Sequence, residues 1–174
     1  QPVGVYLTER TNVLAVCQEL AASVGAQVVM SATGLLRLIK LGLPASGTAV
    51  QVNDTTMVQK TLAISQRVPV RPSVRLGYCK NWTVQTALQT GIPAEHKDLY
   101  AKEWLTVTST DSTVAAAYKL SEEAAQEDTY LLKTTDAQTE ADRRRDLRKV
   151  ARTVYTCTNY ADVMLAELGN AATL

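Results

Sequence analysis

Between Val74 and Gln85 the chain reads Val-Arg-Leu-Gly-Tyr-Cys-Lys-Asn-Trp-Thr-Val-Gln. Val74, Leu76 and Tyr78 fall on one side of an extended backbone, and Arg75, Gly77 and Cys79 on the other. That is the period of two expected of a half-buried strand. Asn81 breaks the run, and Trp82 and Val84 resume it. Just upstream, Pro69 and Pro72 bracket Val70-Arg71, which keeps the backbone extended but denies it donors for a central ladder. The segments on either side of this point differ in pattern, so the chain divides on paper into a unit over 1–72 and a β-rich unit with inserted helices over 73–174.

In the first unit, residues 11–24 place Val13, Leu14, Val16, Cys17, Leu20, Ala21 and Val24 at helical spacings, with Thr11 as the expected N-cap and Gly25 where a left-handed residue is wanted. Two β-rich runs follow at 27–30 and 35–41, joined through Gly34, whose freedom at positive φ suits a tight connection. Leu35, Leu36, Leu38, Ile39 and Leu41 make the second run apolar on both faces, so a strand buried on both sides is expected. A helix laid on a hairpin buries both apolar surfaces most simply. Residues 42–49 form a loop, Asn53 to Thr56 a turn or one helical turn, and 61–66 a strand.

In the second unit, a helix is expected over 93–102 with Pro93 as its first residue, then a strand over 104–108 and turn chemistry at 109–112. Residues 114–120 fit strand or helix equally. Residues 121–128 are acidic and expected to be exposed, with a short strand at 129–132. Thr135-Asp136-Ala137-Gln138 has the form of a capping box and opens a helix whose acids (Asp136, Glu140, Asp142) come early and whose bases (Arg143, Arg144, Arg145, Arg148, Lys149) come late, as the helix dipole favours. A cap at Thr135 would contribute roughly 1 kcal/mol. A strand over 152–160 and a terminal hairpin through Gly169-Asn170 complete an α+β chain with three or so helices and mostly antiparallel strands.

With 174 residues, roughly 70% of the unfolded surface can be buried on folding. A 46% hydrophobic and 20% charged composition argues against disorder, and no apolar run approaches the length of a spanning helix. A net charge of +1 gives no global attraction to nucleic acid or to an anionic membrane. The chain begins at Gln1 without the pattern of a signal peptide, and is expected to be part of something longer. Cys17, Cys79 and Cys157 are far apart and show no metal-binding spacing, so buried, reduced thiols are expected.

Candidate chemistry is sparse. His96, the single histidine, lies on a charged helix with no nucleophile motif to serve, and a solvated surface role is expected. Glu122 with Glu123, and Glu127 with Asp128, stand in polar surroundings that raise no pKa. No phosphate loop, metal site or cofactor signature is present, so no catalytic residue, metal or cofactor is expected. Arg144, Arg145, Arg148, Lys149 and Arg152 make a basic surface. Acids in the same helix offset it and no aromatic residues interleave it, which favours a solvated or subunit-contacting face over nucleic acid.

The run LGYCKNWTVQ at 76–85, EWLTV at 103–107, and Asp136-Ala137 with Glu140-Ala141 and Arg143-Arg144 resemble a family of hub (baseplate or tail-tip) proteins from the tails of long-tailed phages and prophages. Thr11-Asn12-Val13-Leu14 with the 20–25 helix end, Gly34-Leu35-Leu36-Arg37-Leu38 and Leu168-Gly169 extend the resemblance along the chain; the family usually has Leu-Gly-Asp where this chain has Leu168-Gly169-Asn170. The resemblance implies β-barrel-like, tail-tube-like domains, and a structural subunit that closes the tail tube as a homotrimer when full length. It further implies partners among the distal tail or tube-end, tape-measure and tip or fibre proteins, assembly in the host cytoplasm, residence in the virion tail, and contact with neither a membrane nor a specific nucleic acid. A tail-associated peptidoglycan hydrolase, or a nucleic-acid-binding module using the 143–152 segment, are the alternatives.

Overall fold

The computed structural model describes residues 1–31, 33–40, 42, 50–160, 166 and 168–174. Along the chain come α1 (Val13–Ser23), β1 (Ala26–Met30), β2 (Leu36–Lys40), β3 (Val50–Gln51), β4 (Ala63–Val68), β5 (Ser73–Tyr78), α2 (Ala94–Ala101), β6 (Leu105–Thr110), α3 (Ser112–Tyr118), β7 (Gln126–Asp128), α4 (Thr134–Arg148), β8 (Arg152–Thr156) and β9 (Ala172–Thr173). The fold class is α+β, with small and mostly antiparallel sheets. Among the described residues no sheet closes, so the expected barrel-like form is absent: the sheets have two or three strands each.

Two compact units result, and each is discontinuous: Gln1–Gly25 with Arg71–Lys149, and Ala26–Val70 with Val150–Leu174. The chain passes between the units after Gly25, after Val70 and after Lys149. Thus α1 groups with the later part of the chain and not with the β1–β2 hairpin, so the expected helix-on-hairpin unit over 1–72 does not form.

In the first unit the alternating stretch becomes β5, the middle strand of a β6-β5-β7 sheet. It pairs antiparallel with β6, from Ser73↔Thr110 to Tyr78↔Leu105, and parallel with β7, from Arg75↔Gln126 to Gly77↔Asp128. Val74, Leu76 and Tyr78 form the core with Val107, Leu131, Ala137 and Ala141. Ala137 and Ala141 are completely buried, which lets α4 approach the sheet closely. A Cβ at Gly77 would meet the Asp128 carboxylate and the Gln126 amide at 2.7 and 2.8 Å, the ends of two exposed side chains that would have to swing aside. Cys79 turns the chain out of the strand at φ +51, its N–H donating to the Leu131 carbonyl at 2.7 Å.

Several local expectations differ from what forms. Asn12 caps α1, its side-chain oxygen accepting from the Leu14 N–H at 2.9 Å, while Thr11 bonds back to the Glu9 carbonyl. Asparagine is at least as good a cap as threonine and stands next to the first turn. Pro93 is the N-cap of α2, not its first residue. Residues 112–118 are helical, capped by Asp111 and closed by Lys119 at φ +52, which resolves the strand-or-helix choice and replaces the expected turn at 109–112. Residues 121–128 are exposed as expected apart from Ala124 and Glu127, but 126–128 is strand β7, and of the strand expected at 129–132 Leu131 alone makes a bridge, to Val3.

α4 starts one residue before the expected cap. Lys133 occupies the N-cap position with no side-chain cap bond, and the Thr134 hydroxyl is engaged with the Tyr78 hydroxyl at 2.8 Å. Thr135 lies inside the first turn, so it cannot cap.

The second unit holds the β1–β2 hairpin, the β4–β8 pair with an irregularity at Ser65, and β3 paired with β9. Gly34, at φ +80, makes the hairpin turn as expected. β9 runs parallel to β3 and does not close a terminal hairpin; residues 161–165 and 167 of that expected hairpin, and most of the expected loop at 42–49, lie outside the described residues. Nor is β2 covered on both faces, since Leu36 and Leu38 are 66% and 63% exposed. In this unit Ala26 and Ser31 alone are buried among the described residues.

Leu76→Ala is expected to cost about 2–5 kcal/mol in denaturant melts, because it removes a fully buried leucine from the centre of the core. Thr135→Ala is expected to change stability by no more than about 0.5 kcal/mol, as for a surface position without a cap bond; a loss near 1 kcal/mol would restore Thr135 as the cap.

Candidate functional site

α4 places its arginines on the expected helical spacing, but several of them face inwards to other parts of the first unit. The centre is Glu140, whose side chain has no exposed surface. Its carboxylate accepts from Arg143 Nε at 2.8 Å and Nη2 at 2.7 Å, and from Arg144 Nε at 2.8 Å. The Arg144 guanidinium also donates to Glu127 Oε2 at 2.9 Å and to the Ala22 carbonyl at the end of α1 at 2.7 Å. Arg148 holds the other side of Glu127, through both of its terminal nitrogens.

Burial alone would raise the pKa of both carboxyls. Hydrogen bonds and charge from Arg148 and Arg144 outweigh this at Glu127, and those from Arg143 and Arg144 do so at Glu140, so both are held below the ordinary carboxylate value. Glu127 is thus not the solvated acid that the sequence suggested.

Gly25 is flush against this network. At φ +67 it tolerates no side chain, and a Cβ would run into the Arg143 guanidinium and the Glu140 carboxylate. The sequence marks Gly25 only as a helix stop.

Of the predicted contact face, Arg144 and Arg148 are therefore committed to the interior of the first unit. Arg145 donates to Ser109 Oγ at 2.8 Å and pairs with Asp142 and Asp146. Lys149 pairs with Asp146 at 2.9 Å, with Asp111 at 3.9 Å. Arg152 lies on β8, in the other unit, opposite Val68.

His96 is on α2, exposed, beside an open cleft of about 420 Å³ lined by Gln89 to Pro93 and Tyr100. That lining offers no thiol or carboxylate for the imidazole to activate. Glu122 and Glu123 border a second open cleft with Arg75 and Thr108. Cys17 is exposed, contrary to expectation, while Cys79 and Cys157 are half-buried, and all three are free thiols. Among the described residues no group of three or more His, Cys, Asp or Glu could hold a metal ion, and no helix is long and apolar enough to cross a membrane.

An aromatic cluster escaped the sequence reading. Tyr6, Trp82, Trp104 and Tyr130 come from four separate stretches, so no periodicity links them; the Lys80 ammonium lies 4.3 Å from the Trp82 ring centre and 5.1 Å from that of Trp104. Burial, then the neighbouring charge and hydrogen bond of Glu19 and the charge of Asp128, raise the pKa of the Tyr130 phenol.

No protein-family model matches the sequence, and no curated protein matches it.

Glu140→Ala is expected to destabilise the chain by about 3–5 kcal/mol, since two guanidinium groups lose their buried counter-charge. Because the Glu127 and Glu140 pKa values are lowered on folding, the stability they confer is fully present above the unfolded carboxylate pKa of about 4.3 and is lost as pH falls through the lower folded values. Denaturant melts from pH 7 to pH 2 check this: the decline below about pH 4 should be shallower in Glu140→Gln than in the parent chain.

Proposed function

We propose that the chain is part of a structural subunit of a phage tail hub, the ring that closes the tail tube and joins it to tip or fibre proteins. The observation that carries this is where the resembling segments lie. LGYCKNWTVQ supplies β5 and the loop after it, EWLTV leads into β6, and the Asp136 to Arg144 pieces lie on α4. Separated by up to some sixty positions in sequence, they pack as one body in which Leu76, Tyr78, Val107, Ala137 and Ala141 share a core. Of the other resembling segments, Thr11 to Leu14 leads into α1 of the same unit, whereas Gly34 to Leu38 and Leu168-Gly169 belong to the second unit.

A structural role is further supported by how much surface stays uncovered. Met30, Leu36, Leu38, Ile64, Tyr155 and Leu174 are among the exposed apolar residues. Subunits of an assembly keep such surface for their neighbours. Virion-tail residence, cytoplasmic assembly and the tube-end, tape-measure and tip partners belong to the same proposal, as does the absence of catalytic activity and of a membrane partner.

Sedimentation of the full-length protein is the test. A trimer is expected, with the present chain monomeric in dilute solution; a full-length protein that is monomeric both in solution and in purified tails overturns the hub assignment. For nucleic acid, Arg144 and Arg148 already neutralise Glu127 and Glu140 within the fold, so little counterion release is left to drive binding. Titration with duplex and single-stranded DNA at physiological salt should show dissociation constants weaker than about 1 μM. Tighter binding that is abolished by Arg145→Ala with Lys149→Ala would favour the nucleic-acid module instead.

A further inference from the structure

Tyr6, Trp82, Trp104 and Tyr130 form a strip of rings on the first unit. The Trp82 and Tyr130 planes lie within 5° of parallel with centres 6.3 Å apart, Tyr6 meets Trp82 edge-on at 6.1 Å, and Trp104 stands 6.2 Å from Tyr130. Tyr6 and Trp82 are 62% and 43% exposed. Rings that served only to fill a core would be covered.

The strip is also held in place. The Asn81 amide donates to the Leu99 and Tyr100 carbonyls at 3.0 Å each and its oxygen accepts from the Thr83 N–H at 2.9 Å. The Asn81 N–H donates to the Glu103 carbonyl at 2.7 Å, and that of Gln85 to the Tyr100 carbonyl at 2.9 Å. Trp82 is therefore carried on a loop tied at both sides, which lowers the ordering cost of binding.

The surroundings decide the class of ligand. Around the rings stand one ammonium, Lys80, and the carboxylates of Glu103, 3.7 Å from it, and Glu19, 3.4 Å from the Tyr130 hydroxyl. Asp128 adds a third acidic group near Tyr130. This balance repels phosphate, which disfavours stacked nucleic acid and an anionic membrane despite the suitable rings. The four rings are all Trp or Tyr, apolar on the face and polar at the rim. Flat apolar faces edged by carboxylate acceptors and an ammonium donor complement a pyranose, whose C–H face stacks while its hydroxyls hydrogen-bond outwards. The geometry points to a binding site for an uncharged oligosaccharide, with separate sugar rings against Trp82 and against Tyr6, whose planes stand 64° apart, and hydroxyls hydrogen-bonded by Lys80 and Glu103. It is independent of the tail-hub assignment.

Both tryptophans of the chain lie in the strip, so fluorescence excited selectively at tryptophan reports on this site. Chitohexaose, cellohexaose and maltohexaose are titrated in turn to millimolar concentration. At least one is expected to give a saturable change with a dissociation constant of about 1 mM or tighter, weakened about tenfold or more in Trp82→Ala and largely retained in Trp82→Phe. Tyr6→Ala, at the most exposed ring, should weaken binding as well and serves where Trp82→Ala fails to fold. A flat response to all three sugars overturns the proposal. So does a response unchanged in the folded variants, or an oligo-dT that binds the strip more tightly than any of the sugars.

Discussion

A carboxylate with no exposed surface is costly to keep ionised, and Glu140 is kept so by two guanidinium groups that approach it from the next turn of its own helix. Desolvation and hydrogen bonding pull its pKa in opposite directions, and hydrogen bonding wins. What makes the pair more than a local helix contact is that Arg144 extends it outwards, to the end of α1 through the Ala22 carbonyl and to β7 through Glu127. One guanidinium thus joins α4 to the strand before it and to a helix end 122 positions away. Arg148 completes the coordination of Glu127, and Gly25 leaves the space that the Arg143–Glu140 pair occupies. Such a network adds little net stability over an apolar core of the same shape, but removing a member is expensive. Its effect is to fix which segments meet.

The apolar layer beneath it was the legible part. Alternation at Val74, Leu76 and Tyr78 identified the central strand, and these side chains are the ones that meet Ala137 and Ala141 of α4. The helix dipole pattern identified α4 itself, and Gly25 and Gly34 were recognisable from the positive φ that each supplies. Period and turn chemistry are local properties, so they survive without knowledge of the fold.

What was not legible depends on tertiary partners. Glu127 and Asp128 look like part of a solvated acidic loop until the edge of β5 turns them into a parallel strand and two arginines arrive from α4. The cap expected at Thr135 is lost because α4 begins at Thr134, whose hydroxyl meets that of Tyr78, 56 positions away. The aromatic strip has no sequence signature, since its four members enter from the N-terminal arm, two loops and the approach to β6.

The two units resolve the burial problem differently. In the first, a three-stranded sheet under a 15-residue helix closes a core. In the second, each described sheet has two strands. An isolated two-stranded ribbon is marginal in water, because it offers too little apolar surface to offset the conformational entropy it loses. The β1–β2 hairpin shows this in its side chains: Val28↔Leu38 and Met30↔Leu36 are cross-strand pairs on one face, and Met30, Leu36 and Leu38 are exposed. Such a ladder is good strand chemistry left largely open to solvent, with Leu168 and Gly169 beside Met30 and Ile39. The first unit can be understood from its own residues. For the second, stability among the described residues has to come from contacts that a single ribbon does not make, and its exposed apolar pairs are the surface on which those contacts would be made.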